Sequence, residues 1–169
     1  QSMRAIPSND IAALEAALAP GDVAALIMLL NGLSTEYLEQ VRELTRRHGV
    51  VLIFDEVVTG FRYAPGGAQE YFGVTPDLST HAKILAGGYP GGSVSGRAEI
   101  MGMLDDRADA QWQRYERVSH PGTFNANPLV MAAARATLTE VLTPDAYRHL
   151  DRLRDRLQAG LDDVIARSG

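Results

Sequence analysis

The apolar positions change period along the chain, and each period predicts an element. Val23 to Leu30 is a continuous apolar run of strand length, as expected for a strand buried on both faces. Before it, Asn9 is placed to cap a helix through Leu18, which Pro20-Gly21 ends. After it Asn31-Gly32 turns the chain, and Ser34 caps a second helix on which Leu38, Val41 and Leu44 fall at helical spacing, with Gly49 just past its end. Val50 to Phe54 then reads as a second buried strand that delivers Asp55 and Glu56 at its carboxyl end. Strand, helix and strand with short connections make a βαβ unit, so the predicted fold class is α/β with a mostly parallel sheet.

Beyond Glu56 the pattern loosens. Thr59 to Pro76 reads as a loop region rich in glycine and aromatics. Leu78 to His81 and a segment near Ser93 are short strand candidates around a glycine-rich stretch, and Arg97 to Leu104 reads as a helix. Asp105 to His120 is polar with no clear period. Asn127-Pro128 opens an alanine-rich helix through Leu142, and Pro144 stands near the start of a last long helix whose apolar stripe is Tyr147, Leu150, Leu153, Leu157 and Leu161. Gln1-Ser2-Met3 reads as a tag remnant, and the stop at Ser168-Gly169 is what a portion of a longer protein would show.

Composition narrows the classes. Hydrophobic residues are 46% and charged residues 22% of the 169, the balance of a globular domain. With no cysteine, thiolate metal sites and disulfides are excluded, and the four histidines lack zinc-binding spacing. A net charge of −5 leaves no basic surplus for nucleic acid, and the longest apolar run is too short to span a bilayer. No signal peptide opens the chain, so the expected location is cytoplasmic.

One bias adds chemistry. Fifteen of the sixteen basic residues are arginine, and Lys83 is the single lysine. An arginine-favouring genome accounts for the bias, and by composition alone a surface lysine is the commoner reading. Arginine cannot serve, however, where a nitrogen must lose its proton and attack a carbonyl. Asp55 ends its strand where α/β sheets bind ligands. Alone it reads as a turn cap or as the Mg²⁺-holding acid of a P-loop NTPase. The latter needs a G-x-x-x-x-G-K-[ST] loop, and Lys83 is followed by Ile84. Gly87, Gly88, Gly91, Gly92 and Gly96 would let backbone approach a ligand closely.

Four blocks in order make a more specific pattern: Phe54-Asp55-Glu56-Val57-Val58-Thr59-Gly60-Phe61-Arg62, Pro76-Asp77-Leu78, Ala82-Lys83-Ile84-Leu85-Ala86-Gly87-Gly88, and Gly122-Thr123-Phe124-Asn125-Ala126-Asn127-Pro128-Leu129. Together they resemble class III aminotransferases, most of all glutamate-1-semialdehyde aminomutases and related transaminases. The resemblance implies a portion of the large domain of the aspartate-aminotransferase-like (fold type I) transferases, with residues 4–142 in that domain and residues 143–169 a helix leading toward a small C-terminal domain. It implies pyridoxal 5'-phosphate (PLP) as cofactor, a small amino acid or amino-aldehyde as substrate, and a homodimer with a shared site. Lys83 would form the Schiff base with the cofactor and shuttle a proton, Asp55 would pair with the pyridine nitrogen, and Val57 would pack on the ring. Gly122 and Thr123 would bind the phosphate of the neighbouring subunit's cofactor. The chain departs from the family where Leu29-Leu30 replaces Glu-Pro and where Asn31-Gly32-Leu33 shortens the following segment. A non-catalytic fragment or assembly module that keeps the fold without cofactor is the alternative reading.

Overall fold

The computed structural model describes residues 3–168, so two of the three residues read as a tag remnant, Gln1 and Ser2, lie outside it. Helix α1 (Ile11–Leu18) starts at Asp10, whose carboxylate accepts the Ala13 amide at 2.8 Å. The expected cap, Asn9, instead takes a left-handed turn at φ 60°. Asparagine tolerates that conformation, and Asp10, one residue on, has the extended backbone a cap requires. Strand β1 (Ala25–Leu29) leads to α2 (Thr35–Arg47), which Ser34 caps through the Tyr37 amide as expected. Glu36 in its first turn and Arg46 and Arg47 in its last complement the helix dipole. Leu38, Val41 and Leu44 form its buried stripe.

Strand β2 (Val51–Asp55) lies parallel to β1, with Leu26 opposite Leu52 and Met28 opposite Phe54. Register partners share a face, so these four side chains meet Leu14, Leu18, Leu38, Val41 and Leu44 in one core. Strand β3 (Leu78–His81) continues the parallel sheet on the far side of β2, and β4 (Ser93–Gly96) closes it antiparallel, in the order β1-β2-β3-β4.

The strand over Val23 to Leu30 is shorter than expected and buried on one face only. Ile27 and Leu29 are 56% and 60% exposed. The cause is position: β1 is an edge strand of this sheet, and α1 and α2 cover only the face that carries Leu26 and Met28. The region from Thr59 to Pro76 is not all loop, since it contains a short helix, α3 (Gly67–Phe72). Arg97 to Leu104 divides into α4 (Ala98–Met101) and a 3₁₀ turn over Gly102–Leu104. Asp105 to His120 holds one π-helical turn, Trp112–Glu116, with the Trp112 indole donating to the Asp105 carbonyl at 2.9 Å. Helix α5 (Pro128–Ala136) is capped by Asn127 and passes into a π-helical turn, Thr137–Val141. The last helix, α6 (Pro144–Ser168), exposes Leu150, Leu153, Leu157 and Leu161 of its stripe, and is tied back at its half-buried start by the Tyr147 hydroxyl, which donates to the Phe61 carbonyl at 2.9 Å. No helix among the described residues is long and apolar enough to cross a membrane.

Candidate active site at the carboxyl ends of two parallel strands

Asp55 is the last residue of β2 and pairs in register with Thr80 of β3, three residues before Lys83. The sheet therefore brings Asp55 and Lys83 to the same edge, at the carboxyl ends of adjacent parallel strands, where α/β sheets bind ligands. Asp55 is half-buried, and its Oδ1 accepts the Val57 amide at 3.0 Å, which folds the chain back over the strand end. Among the described residues its Oδ2 accepts no hydrogen bond and so can take a ligand N–H. Lys83 is exposed and makes no ion pair among the described residues. It begins a 3₁₀ turn, Lys83–Ala86, at φ 52°, a conformation that costs an L-residue roughly 1–2 kcal/mol.

That strain belongs to a pattern. Among the described residues the non-glycine positions at positive φ are Asn9, Phe61, Lys83 and Ala126, and the last three each fall in one of the sequence blocks singled out above. Backbone strain concentrates where a surrounding structure holds it for a purpose. Dihedral angles are not written in residue identity, so sequence reasoning missed this signal.

Two buried acids that flank these strands have structural partners. Glu56, 1% exposed, accepts the Thr59 hydroxyl and the Ala68 amide on Oε2, both at 2.8 Å, and the Gln69 amide on Oε1 at 3.0 Å. The two amides are at the start of α3, so the carboxylate caps that helix from the core. A Cβ at Gly67 would lie 2.6 Å from Oε2, and Gly67 has φ +77°, so only glycine fits there. Asp77, 4% exposed, lies at the opposite end of β3 from Lys83. It accepts Arg42 Nη1 at 2.8 Å, Arg97 Nη1 at 3.2 Å and the Leu52 amide at 2.8 Å, which joins α2, β2 and the residue after β4. Burial favours the neutral acid, but Arg42, the Leu52 amide and Arg97 outweigh it and hold the Asp77 carboxyl at about 2. His81, at the end of β3, packs its ring 5.5 Å from that of Phe61. Burial pushes its imidazole below the usual range, and the nearby Glu56 carboxylate opposes this in part.

The glycine-rich stretch differs from its expected use at two positions. A Cβ at Gly87 would meet Thr137 Oγ1 at 2.5 Å, and one at Gly91 would meet Val130 Cγ1 at 2.5 Å. These glycines let the turn after Lys83 lie flat on α5 and its π-helical extension, so the close approach is to a helix. Gly122 and Thr123 are exposed, in a turn whose hydrogen bonds are local: Asn125 N to the Gly122 carbonyl at 3.0 Å and Asn125 Nδ2 to the His120 carbonyl at 3.1 Å. Val57 is half-buried beside Asp55.

Residues 4–168 match the family model for class-III aminotransferases. The glutamate-1-semialdehyde 2,1-aminomutase of Rhodopirellula baltica is 42% identical over 170 residues, an alignment of 95% of this chain and 37% of that enzyme. The enzyme of the same name from Methanothermobacter thermautotrophicus is 45% identical over 130 residues, 77% of this chain and 29% of its own. Among solved structures, an omega-transaminase from Sphaerobacter thermophilus superposes with a TM-score of 0.84 at 38% identity, over 95% of this chain and 37% of that one. A glutamate-1-semialdehyde aminomutase variant from Pseudomonas aeruginosa in complex with PMP gives 0.80 at 37% identity, over 94% and 37%. The chain thus spans between 29% and 37% of the length of these relatives. With the mostly parallel sheet and the order of the sequence blocks, these matches show that the chain belongs to the class-III aminotransferase family.

Proposed function

We propose that this chain carries the lysine-bearing part of a PLP site, in an enzyme that transfers or migrates an amino group on a small amino acid or amino-aldehyde. The observation that carries the reading is the placement of the sole lysine and of Asp55 at the ends of two strands paired in register. The donor set fits the cofactor: an amine without an ion pair, and a carboxylate with one oxygen directed by Val57 and the other open to a ligand N–H. One solved relative is named as a transaminase with PLP bound, and it superposes with a TM-score of 0.83 at 29% identity.

When bound, PLP supplies an electron-poor ring that delocalises the electron pair left by a broken substrate bond. Lys83 holds the cofactor covalently through Nζ and, when free, carries a proton at that atom. Asp55 holds the proton on the pyridine nitrogen through a charge-assisted hydrogen bond, which keeps the ring electron-poor. Val57 covers one ring face and excludes water. Gly122 and Thr123, exposed in a turn closed by the Asn125 amide on the Gly122 carbonyl, hold a phosphate offered by a second subunit of a homodimer. Residues 4–142 belong to the cofactor-binding large domain, and residues 143–169 lead toward a small domain. A PLP titration followed by visible absorption tests this. The wild-type chain should develop a band that Lys83→Arg lacks, and identical spectra would contradict the reading.

A further inference from the structure

Glu56 stands between two residues assigned to the cofactor, yet its side chain points away from them into the core. Every polar atom of the residue has a partner. Its amide donates to the Thr80 carbonyl at 2.9 Å, and its carbonyl accepts the Gly60 amide at 2.9 Å. Its carboxylate takes Thr59 Oγ1, Ala68 N and Gln69 N at 2.8, 2.8 and 3.0 Å. One residue thus joins the end of β2, the strand β3 that leads to Lys83, the Thr59-Gly60 turn and the start of α3.

A plain helix cap does not need this position. Successive residues at a strand end point to opposite sides, so fixing Glu56, the residue after β2, in the core sets the direction in which Asp55 faces. Asp55 is also the less constrained of the two acids, since its one bond is to the amide of Val57, two residues on. If the Glu56 carboxylate were released, the 55–60 turn could rotate and Asp55 would lose its aim. The absence of a Cβ at Gly67 keeps the space in which this carboxylate sits.

We propose that Glu56 is a positioning residue for Asp55: its carboxylate, bound to Thr59, Ala68 and Gln69, fixes the turn that aims Asp55 at the cofactor's pyridine nitrogen. This deepens the proposed function and rests on the assignment of Asp55 made there. Thr59 is part of the device, because among the described residues its hydroxyl is the one side-chain donor to the carboxylate.

The first test needs no cofactor. Amide hydrogen exchange is measured on the 169-residue chain as wild type, Glu56→Gln, Thr59→Val and Thr59→Ser. A cap for α3 alone would change exchange at Ala68 and Gln69 and leave Val57 as it was. The proposal expects Val57 exchange to rise about tenfold in Glu56→Gln, with Ile53 in the middle of β2 unchanged. Thr59→Val should show a smaller rise in the same direction, and Thr59→Ser should stay at the wild-type rate. Unchanged Val57 exchange in both Glu56→Gln and Thr59→Val would overturn the proposal, and Thr59→Val decides alone if Glu56→Gln fails to fold.

The second test is a double-mutant cycle on PLP affinity. Thr59→Val should weaken binding about tenfold, the lower end of what the outer partners of a binding group are worth. It should cost nothing further in an Asp55→Asn background. Full additivity would show that Glu56 and Thr59 do not act through Asp55. If the wild-type chain shows no cofactor band, the proposed function fails, and exchange at Val57 still decides whether Glu56 holds Asp55.

Discussion

Asp55 and Gly67 show at the scale of single residues how much a small change should matter. Asp55→Ala removes the proposed partner of the pyridine nitrogen and leaves the core untouched, since Asp55 is half-buried at a strand end. A hydrogen bond to a charged group is worth about 1.5–3 kcal/mol, so PLP affinity should fall about 10- to 100-fold with the melting temperature nearly unchanged. Affinity within twofold of wild type would remove Asp55 from the site. Gly67→Ala acts on stability instead. Its methyl group would lie 2.6 Å from Glu56 Oε2, on a backbone at φ +77°. The expected loss is about 2 kcal/mol or more in a urea melt, from the left-handed backbone and the displaced carboxylate together. The residue types of the proposed site could be named from the sequence because lysine and aspartate have few substitutes in this chemistry. The positive φ of Phe61, Lys83 and Ala126 was not, because a backbone angle is imposed by what packs around it.

The elements were most legible where local chemistry decides them. Ser34 caps α2, Asn127 opens and caps α5, and the continuous apolar run Val50 to Phe54 marks β2. They were least legible where tertiary partners decide. The start of α3 is held by Glu56, eleven residues before Gly67, and no window centred on α3 contains that acid. Asp77 is similar: its block was visible, but its partners Arg42 and Arg97 are 35 and 20 residues away. This network predicts a pH dependence. Asp77 titrates near its ordinary 3.8 when unfolded and at about 2 when folded. The unfolded chain therefore binds more protons in that interval, so the contribution is fully present above about pH 4 and is lost as pH falls toward 2. It is worth at most about 2 kcal/mol. The imidazole of His81 is also depressed, so its contribution has the same sign at a higher window, present above its unfolded value of 6.5 and declining below it. Urea midpoints should fall on acidification through both windows, and Asp77→Asn should remove the lower one. An unchanged acid limb in Asp77→Asn would contradict the assignment.

The whole molecule carries the four sequence blocks on an incompletely covered sheet. Ile27 and Leu29 lie open on one face, and α6 exposes Leu153, Leu157, Leu161, Val164 and Ile165. Apolar surface on an edge strand and along a helix favours pairing with other chains. Light scattering at micromolar concentration should therefore show a dimer or larger species, and transamination by this chain alone should be undetectable. A clean monomer with robust turnover would contradict both expectations. The family, the mostly parallel sheet and the order of the blocks could all be read from the sequence, whereas the exposure of β1 could not, because burial depends on which strands lie beside it. Covalent labelling tests directly whether Lys83 holds the cofactor. The chain is incubated with PLP, reduced with borohydride, digested and mapped by peptide mass spectrometry. A pyridoxyl group on the peptide that contains Lys83 is the predicted result. Label confined to the N-terminal amine, with the Lys83 peptide unmodified, would contradict it.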